Sequence, residues 1–234
     1  MRALLAVPVI ALVTLSLGGP ALLLGLLDRS GRAEHWVARQ WAGIILLGCG
    51  VRVIVEGTEN LPAIPALYAA NHASALDIPI LFGYLPASFR IIYKKSLNLV
   101  PFLGWYLLLG GHISIDRSNP FKARRSLERA AQRIRRGTPV AVFPEGTRSA
   151  TAAVGHFKRG SLVLAIQAGV PVVPVSLVGV KHLVPRGIRS LRPGTVRLRI
   201  HPPIPTAGLD PGRADGFAEE VRQIVVRGCA LGST

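Results

Sequence analysis

The first fifty residues contain two long apolar runs. The segment 3–27 has no charged residue, which exceeds the about 20 residues that a helix needs to cross a bilayer. Pro8 and the triplet Gly18-Gly19-Pro20 are expected to interrupt it. A second run, 36–51, carries two tryptophans and an arginine toward one end, as helices do at a bilayer interface. The pattern predicts a membrane-associated helical hairpin, with a secretory signal peptide as the alternative.

From residue 51 onward, short β-rich runs alternate with turn signals and helical stretches. The predicted strands are 51–55, 66–70, 90–93, 113–115, 140–143, 172–178 and 196–200. Helices are predicted from Asn119 to Arg136 and from Asp215 to Arg227. Strands that alternate with helices indicate an α/β fold. We expect a twisted, mostly parallel or mixed sheet flanked by helices over 51–234, following the hairpin of 1–50.

Two prolines fall in the strand predicted at 172–178 and its approach. Proline is normally excluded from central strands because it has no N–H to donate. Pro171 and Pro174 therefore favour an edge or irregular strand, with a substrate-lining role as an equal alternative.

Composition narrows the classes of partner. The chain is 50% hydrophobic and carries 28 Lys+Arg against 12 Asp+Glu, a formal net charge of +16. Such an apolar chain is not disordered, and its cations, which are mostly arginine, suit phosphate or anionic lipid. Nucleic acid is not predicted as a partner, because there is no reader motif and aromatics make up 6%. The two distant cysteines predict neither a disulfide framework nor a metal site.

A histidine and an aspartate follow the strand predicted at 66–70. His72 comes two positions after this strand, where α/β proteins bind ligands. Asp77, five residues later, is placed to fold back and orient the imidazole. No serine partner is evident, so the nucleophile would be a hydroxyl of the substrate. The alternative is that Asn71 and Asp77 cap a turn and that His72 is structural.

A second polar cluster, Phe143-Pro144-Glu145-Gly146-Thr147-Arg148-Ser149, follows another strand. Its glycine and hydroxyls make a loop rich in exposed amides, and Arg148 adds a fork for phosphate. The alternative is a solubilising surface, but the stretch after Glu145 contains no carboxylate until Asp210. Charge of one sign favours an anion site.

A third cluster, Gly111-His112-Ile113-Ser114-Ile115-Asp116-Arg117, ends a short strand with an acid–base pair. Upstream, Lys94-Lys95 ends another strand. By themselves these residues predict no more than an ion pair at a strand end.

In this order, the clusters resemble the motifs of the glycerolipid acyltransferase family, the 1-acyl-sn-glycerol-3-phosphate acyltransferases. Residues 71–77 match N-H-x4-D, and 143–149 match F-P-E-G-T-R-S at every position. Residues 111–117 resemble G-x-x-F-I-D-R, with Ser114 in place of phenylalanine, and 170–175 resemble V-P-V-x-P-V. Four motifs in order make the resemblance specific, and it covers roughly residues 50–200.

The resemblance implies transfer of an acyl group from a thioester to the free hydroxyl of lysophosphatidic acid, giving phosphatidic acid. His72 would be the general base, oriented by Asp77. Oxyanion donors would come from loop amides near Gly146 or beside His72. Substrate-binding roles fall to residues of the first three motifs in chain order and to the strand-end lysine: Asn71, Lys94, Arg117, Glu145, Gly146, Thr147 and Arg148. Glu145 is expected to orient the loop, with a role as base as the alternative.

No metal or cofactor is needed, since the thioester co-substrate, acyl-CoA or acyl-ACP, is already activated. Other acceptors, such as a lyso-ornithine lipid or a lysophospholipid, stay open, as does non-catalytic binding of anionic lipid. Because both thioesters are made in the cytoplasm, we expect a cell-membrane enzyme whose catalytic domain faces the cytoplasm and contacts anionic membrane lipid.

Overall fold

The computed structural model describes residues 2–28, 31–116, 118–149, 151, 153–185 and 190–231. The strands are β1 (Val51–Glu56), β2 (Leu67–Ala70), β3 (Arg90–Lys94), β4 (Ile113–Ile115), β5 (Val140–Val142), β6 (Val172–Val178) and β7 (Gly194–Ile200). The helices are α1 (Arg2–Leu27), α2 (Arg32–Gly48), α3 (Asp77–Tyr84), α4 (Leu103–Leu109), α5 (Pro120–Arg135), α6 (Arg159–Ala168), α7 (Val180–Leu183) and α8 (Ala214–Ala230). Each predicted strand and both predicted helices are present within a few residues of their expected bounds.

The seven strands form one sheet in the order β1-β7-β6-β2-β5-β3-β4. Neighbours pair in parallel except for β6 and β7, which are antiparallel. This confirms the predicted mixed α/β sheet. Every residue of β2, β5 and β6 is buried, because helices cover both faces of the sheet and exclude water from its centre.

The two faces of the sheet have separate cores and separate sets of helices. One core packs α2 and α3 on side chains such as Tyr68, Val173 and Val175. The other packs α5, α6 and α8 on alternating positions of the same strands, including Leu67, Ala69 and Val172. Successive residues of a strand point to opposite faces of the sheet. The predicted hairpin therefore lies on the α2–α3 face, opposite α8.

Helix α1 is continuous through Pro8 and Pro20, so the predicted interruption at Gly18-Gly19-Pro20 is wrong. A proline in a helix forfeits one backbone hydrogen bond, and here the helix is supported by packing along α2. Trp41 of α2 donates a 3.0 Å hydrogen bond to Thr14 Oγ1 of α1. Among the described residues, Ile10–Leu27 is long and apolar enough to cross a membrane. Together α1 and α2 form the expected hairpin.

The expectation that Pro174 marks an edge strand is also wrong, because β6 lies in the middle of the sheet between β7 and β2. The backbone carbonyl of Pro174 accepts a 3.0 Å hydrogen bond from the N–H of His201. In a strand, the N–H and C=O of a residue point to the same side. The missing N–H of Pro174 therefore faces His201, just beyond the end of β7 at Ile200, so the proline costs one hydrogen bond at the end of this pairing and none within it.

Candidate active site

The predicted site residues converge at one edge of the sheet. The parallel strands β2, β5, β3 and β4 all end at this edge, and each is followed by one of the polar clusters. Ligands bind at the carboxyl ends of strands in such sheets. His72 follows β2 and the segment 143–149 follows β5, the neighbour of β2. The strand order thus brings together residues that lie more than seventy positions apart.

His72 and Asp77 form a hydrogen-bonded pair. His72 Nδ1 lies 2.8 Å from Asp77 Oδ2, and the same oxygen accepts hydrogen bonds from the N–H groups of Ala73 and Ser74 at 2.7 and 2.8 Å. Asp77 is fully buried as the first residue of α3. Because the carboxylate oxygen is an acceptor for backbone donors, Nδ1 carries the proton. Nε2 is then the basic nitrogen, and no described residue bonds to it.

The backbone of His72 is fixed at both of its polar groups by the segment 143–149. Its N–H donates to Glu145 Oε1 at 2.7 Å, and its carbonyl accepts from the N–H of Ser149 at 2.8 Å. The imidazole stacks on Phe143 with ring centroids 4.0 Å apart. These contacts leave the ring few ways to turn, which is the preorganisation that a general base needs.

Glu145 is a buried carboxylate that joins two loops. Besides His72, it accepts a 3.1 Å hydrogen bond from the N–H of Gly155 through Oε2. Burial raises the pKa of Glu145, and the backbone donors oppose that rise. A Cβ on Gly155 would lie 2.7 Å from Oε2, so the close approach requires glycine. Both carboxylate oxygens are occupied, which agrees with the expected orienting role.

The loop after Glu145 turns sharply and exposes its cation. Gly146 has a φ of 77°, a conformation that favours glycine, and its N–H donates to Phe143 O at 3.0 Å. Thr147 and Arg148 are exposed. No described residue forms an ion pair or hydrogen bond with the Arg148 guanidinium. This group is consequently available to a ligand.

The lysines that end β3 differ from one another. Lys94 is exposed with no described partner, whereas Lys95 Nζ lies 3.0 Å from Asp116 Oδ2. Hydrogen bonds from Ser118, and then Lys95, hold the pKa of Asp116 well below its usual range. Arg117 lies outside the described residues. The expected ion pair at the strand end is therefore made by Asp116 with Lys95.

Asn71 connects the chain next to His72 to β6. Its Nδ2 donates to the carbonyl of Leu177 at 3.1 Å and its Oδ1 accepts from the N–H of Leu177 at 2.7 Å. The side chain is buried. These contacts give Asn71 a positioning role, where the motif led us to expect contact with substrate.

Three contributors to the site were not predicted individually: the backbone of Leu177, the N–H of Gly155 and the ring of Phe143. The first two act through main-chain groups, which carry no side-chain signal. Phe143 belongs to a recognised motif, but its sequence context gives no reason to expect stacking. Among the described residues there is no group of three or more histidine, cysteine, aspartate or glutamate side chains that could hold a metal ion.

Comparison with known proteins is consistent with this geometry. A family model described as "Acyltransferase" matches residues 52–178. The chain is 35% identical over 225 residues to the 1-acyl-sn-glycerol-3-phosphate acyltransferase of Saccharomyces cerevisiae, covering 92% of this chain and 74% of the yeast protein. It is 39% identical over 197 residues to an enzyme of the same name from Chlamydomonas reinhardtii. That alignment covers 82% of this chain but 57% of the algal protein, so the chain spans little more than half of that relative.

The fold is similar to a solved structure over its whole length. The crystal structure of the 1-acyl-sn-glycerophosphate (LPA) acyltransferase PlsC from Thermotoga maritima superposes with a TM-score of 0.84 and 31% sequence identity. The match covers 100% of this chain and 99% of the other. The likeness therefore includes the N-terminal helices as well as the sheet.

Proposed function

Because this chain belongs to the acyltransferase family, we propose that it transfers an acyl group from a thioester to the free hydroxyl of 1-acyl-sn-glycerol-3-phosphate, giving phosphatidic acid. One observation carries the proposal. A histidine, held by a buried aspartate with Nε2 unpartnered among the described residues, shares a sheet edge with the exposed cation Arg148. A base beside a phosphate ligand suits a phosphate-bearing alcohol as acceptor.

In the proposed mechanism, His72 Nε2 takes the proton of the acceptor hydroxyl while the hydroxyl oxygen attacks the thioester carbonyl. Asp77 stabilises the imidazolium that forms. When the tetrahedral intermediate collapses, the carbon–sulfur bond breaks and Nε2 returns the proton to the thiolate. The products are an ester and a free thiol. No covalent acyl-enzyme is required.

The oxyanion of the intermediate needs N–H donors that are not already in use. The amides of His72, Ala73 and Ser74 donate to Glu145 or Asp77, and that of Gly146 donates to Phe143. By contrast, no described residue accepts a hydrogen bond from the amides of Thr147 or Arg148. We assign the oxyanion site to these two amides.

Phosphate binding is assigned to Arg148, with support from Lys94 and from Arg117. Asn71 and Glu145 position the loops that carry the reacting groups.

We further place the protein at the cell membrane in contact with anionic lipid, with the hairpin of 1–50 as anchor. The catalytic unit, 51–234, would face the cytoplasm, where acyl-CoA and acyl-ACP are made.

The test is product formation by the purified protein. With lysophosphatidic acid in mixed micelles and an acyl thioester, wild type should form phosphatidic acid and His72→Ala should form none while unfolding at an unchanged temperature. Lyso-ornithine lipid and lysophospholipids presented in the same micelles should react more slowly. Equal turnover by His72→Ala would contradict the mechanism, and a preference for another acceptor would replace lysophosphatidic acid as the substrate.

A further inference from the structure

A cleft of about 320 Å³ lies on the β6 side of His72. Its wall includes Asn71 and Ala73, the two neighbours of the catalytic histidine in sequence, but not the segment from Phe143 to Arg148. The remaining wall comes from the end of β6, from α7, from the second half of α8 and from Ala153 and Val154. The cleft is therefore adjacent to the proposed acceptor site, and Arg148 is not part of its wall.

The strand order places the ends of β6 and β5 on different sides of His72. β2 lies between β6 and β5, so His72 at the end of β2 has the end of β6 on one flank and Phe143–Glu145 on the other. The loop after Arg148 then crosses to the cleft, where Ala153 and Val154 form part of the wall. A two-substrate transfer requires the hydroxyl and the thioester to meet at one nitrogen from different directions. If the acceptor phosphate occupies the Arg148 flank, the β6 flank is left for the donor.

The lining of the cleft combines cationic and apolar groups. Lys181 of α7 and Arg222 of α8 contribute cations, His182 contributes an imidazole, and Val226 contributes apolar surface. No carboxylate lines the cleft among the described residues. Such a lining fits a narrow, uncharged chain that ends in a phosphate.

The two cations have different roles. Arg222 donates to the carbonyls of Gly155 and Val154 and pairs with Glu219 at 2.8 Å, so it builds the wall. Lys181 Nζ reaches the carbonyl of Ser149 at 3.4 Å, a long contact that a phosphate could replace. Ser149 in turn donates its N–H to the carbonyl of His72. Ser149 thus links Lys181 to the backbone of His72.

The location on the sheet also favours a soluble ligand. The cleft is partly walled by α8, which covers the face opposite α2 and α3. The apolar hairpin that would contact lipid lies on that other face. A donor arriving from water would therefore reach the cleft without crossing the hairpin.

We propose that this cleft binds the phosphopantetheine arm of the acyl donor, with Lys181 on its phosphate and the thioester directed toward His72. The inference rests on the proposed function, since it assigns the donor to that reaction. Coenzyme A and acyl carrier protein both carry this arm, so the cleft would recognise what the two donors share. Their nucleotide or protein parts would remain outside.

The test compares the wild-type chain in detergent with two single variants. Lys181→Ala removes the lysine, and Val226→Trp fills the cleft. Loss of a charged contact should raise the KM for acyl-CoA by about tenfold or more. The same rise is expected for acyl-ACP, while the KM for lysophosphatidic acid changes less than about twofold. Lys122→Ala, which removes an exposed lysine of α5, is the matched control and should behave as wild type.

Three results would overturn the inference while leaving the proposed function intact. They are an unchanged donor KM in both variants, a rise confined to the acceptor KM, and a rise for one donor alone. Titration with 4′-phosphopantetheine decides the question independently of turnover: wild type should bind it and Lys181→Ala should bind it at least about tenfold more weakly. If wild type forms no phosphatidic acid with either donor, the proposed function fails, and absence of phosphopantetheine binding would then refute the cleft separately.

Discussion

The Glu145 carboxylate accepts a 2.7 Å hydrogen bond from the backbone N–H of His72, a residue 73 positions earlier in the chain. The bond joins the ends of two neighbouring strands, β2 and β5, at the place where the reaction is proposed to occur. Its second oxygen holds Gly155. Since both oxygens are occupied, we expect Glu145 to act on the proposed reaction through the position of His72 and not by exchanging a proton with substrate.

Replacement of Glu145 by glutamine should lower kcat without changing either KM greatly. An amide has one acceptor oxygen, so one of the two backbone N–H groups loses its partner and the loop shifts. A misplacement on the order of 1 Å costs about 100-fold in rate, and we expect a loss of about 10- to 100-fold. Initial rates with saturating substrates measure it.

A Gly155→Ala variant provides an independent test of the same bond, because the new Cβ would lie 2.7 Å from Glu145 Oε2. It should reproduce the loss of kcat. If Glu145→Gln instead abolishes activity completely while Gly155→Ala is fully active, the carboxylate has a direct chemical role.

Asp77→Asn should reduce kcat severely. Asparagine can keep the one oxygen that the two backbone N–H groups and the imidazole share, but it removes the negative charge that would stabilise the imidazolium. The same replacement in a Ser-His-Asp triad costs about 10⁴-fold in kcat. Phosphatidic acid formation under single-turnover conditions reports the chemical step. Retention of more than a tenth of the rate would show that the pair is not the catalytic base.

Arg148→Ala should raise the KM for lysophosphatidic acid more than it lowers kcat. The guanidinium is exposed and no described residue pairs with it, so its loss disturbs no internal contact. A hydrogen bond to a charged group contributes about 1.5–3 kcal/mol, which corresponds to about 10- to 100-fold in KM. The control is Arg124→Ala, which removes a surface pair with Glu128. Equal effects of both variants would remove Arg148 from the phosphate site.

The strand pattern is predictable from sequence because β2, β5 and β6 are buried on both faces and consist mostly of apolar residues. The order of the strands is not, since it depends on long-range pairing. Pro174 shows the difference: its missing N–H argues for an edge strand in sequence, and only the structure shows that the proline nitrogen faces His201, just beyond the end of β7. Likewise, helix α1 passes through Pro20 because packing on α2 outweighs a local preference.

In the site, too, some features are predictable from sequence and others are not. His72, Asp77 and Arg148 lie in motifs whose side chains indicate their proposed chemistry. The contacts of Asn71 are not predictable, because its partner is the backbone of Leu177, 106 positions away. Main-chain partners leave no residue-type signature, so positioning contacts were harder to predict than reacting groups.

The free energy of unfolding of the protein should depend on pH through His35, a buried histidine of α2. Burial, and then the charge of Arg90, lowers the pKa of His35 to about 4. The unfolded imidazole titrates near 6.5, so between about pH 6.5 and 4 the unfolded state binds more protons. The free energy of unfolding should therefore fall as the pH is lowered through this range, and His35 contributes at most about 1.4 kcal/mol per pH unit to that fall. Thermal unfolding in detergent at a series of pH values measures it.

His35→Leu should flatten this dependence, because the group that titrates is gone. His156→Leu, at an exposed histidine, should retain it. Burial also lowers the pKa of His112, which lies beside Glu34 in the same region, so a residual slope is expected in the His35 variant. An identical slope in wild type and His35→Leu would contradict the assignment.

Two glycines of α8 should respond in opposite directions to alanine. At Gly228 a Cβ would lie 2.3 Å from Ser176 Oγ and 2.4 Å from His201 Nε2. Both atoms belong to a buried contact, since Ser176 Oγ also donates to the carbonyl of Val225 at 3.0 Å. Gly228→Ala must push α8 away from β6, which should destabilise the fold by about 1–3 kcal/mol.

At Gly216 a Cβ meets no atom within 4 Å, so alanine should stabilise the helix by up to about 1 kcal/mol. Denaturant unfolding of both variants measures the difference, and a stabilised Gly228→Ala protein would mean that α8 does not pack on β6 this closely.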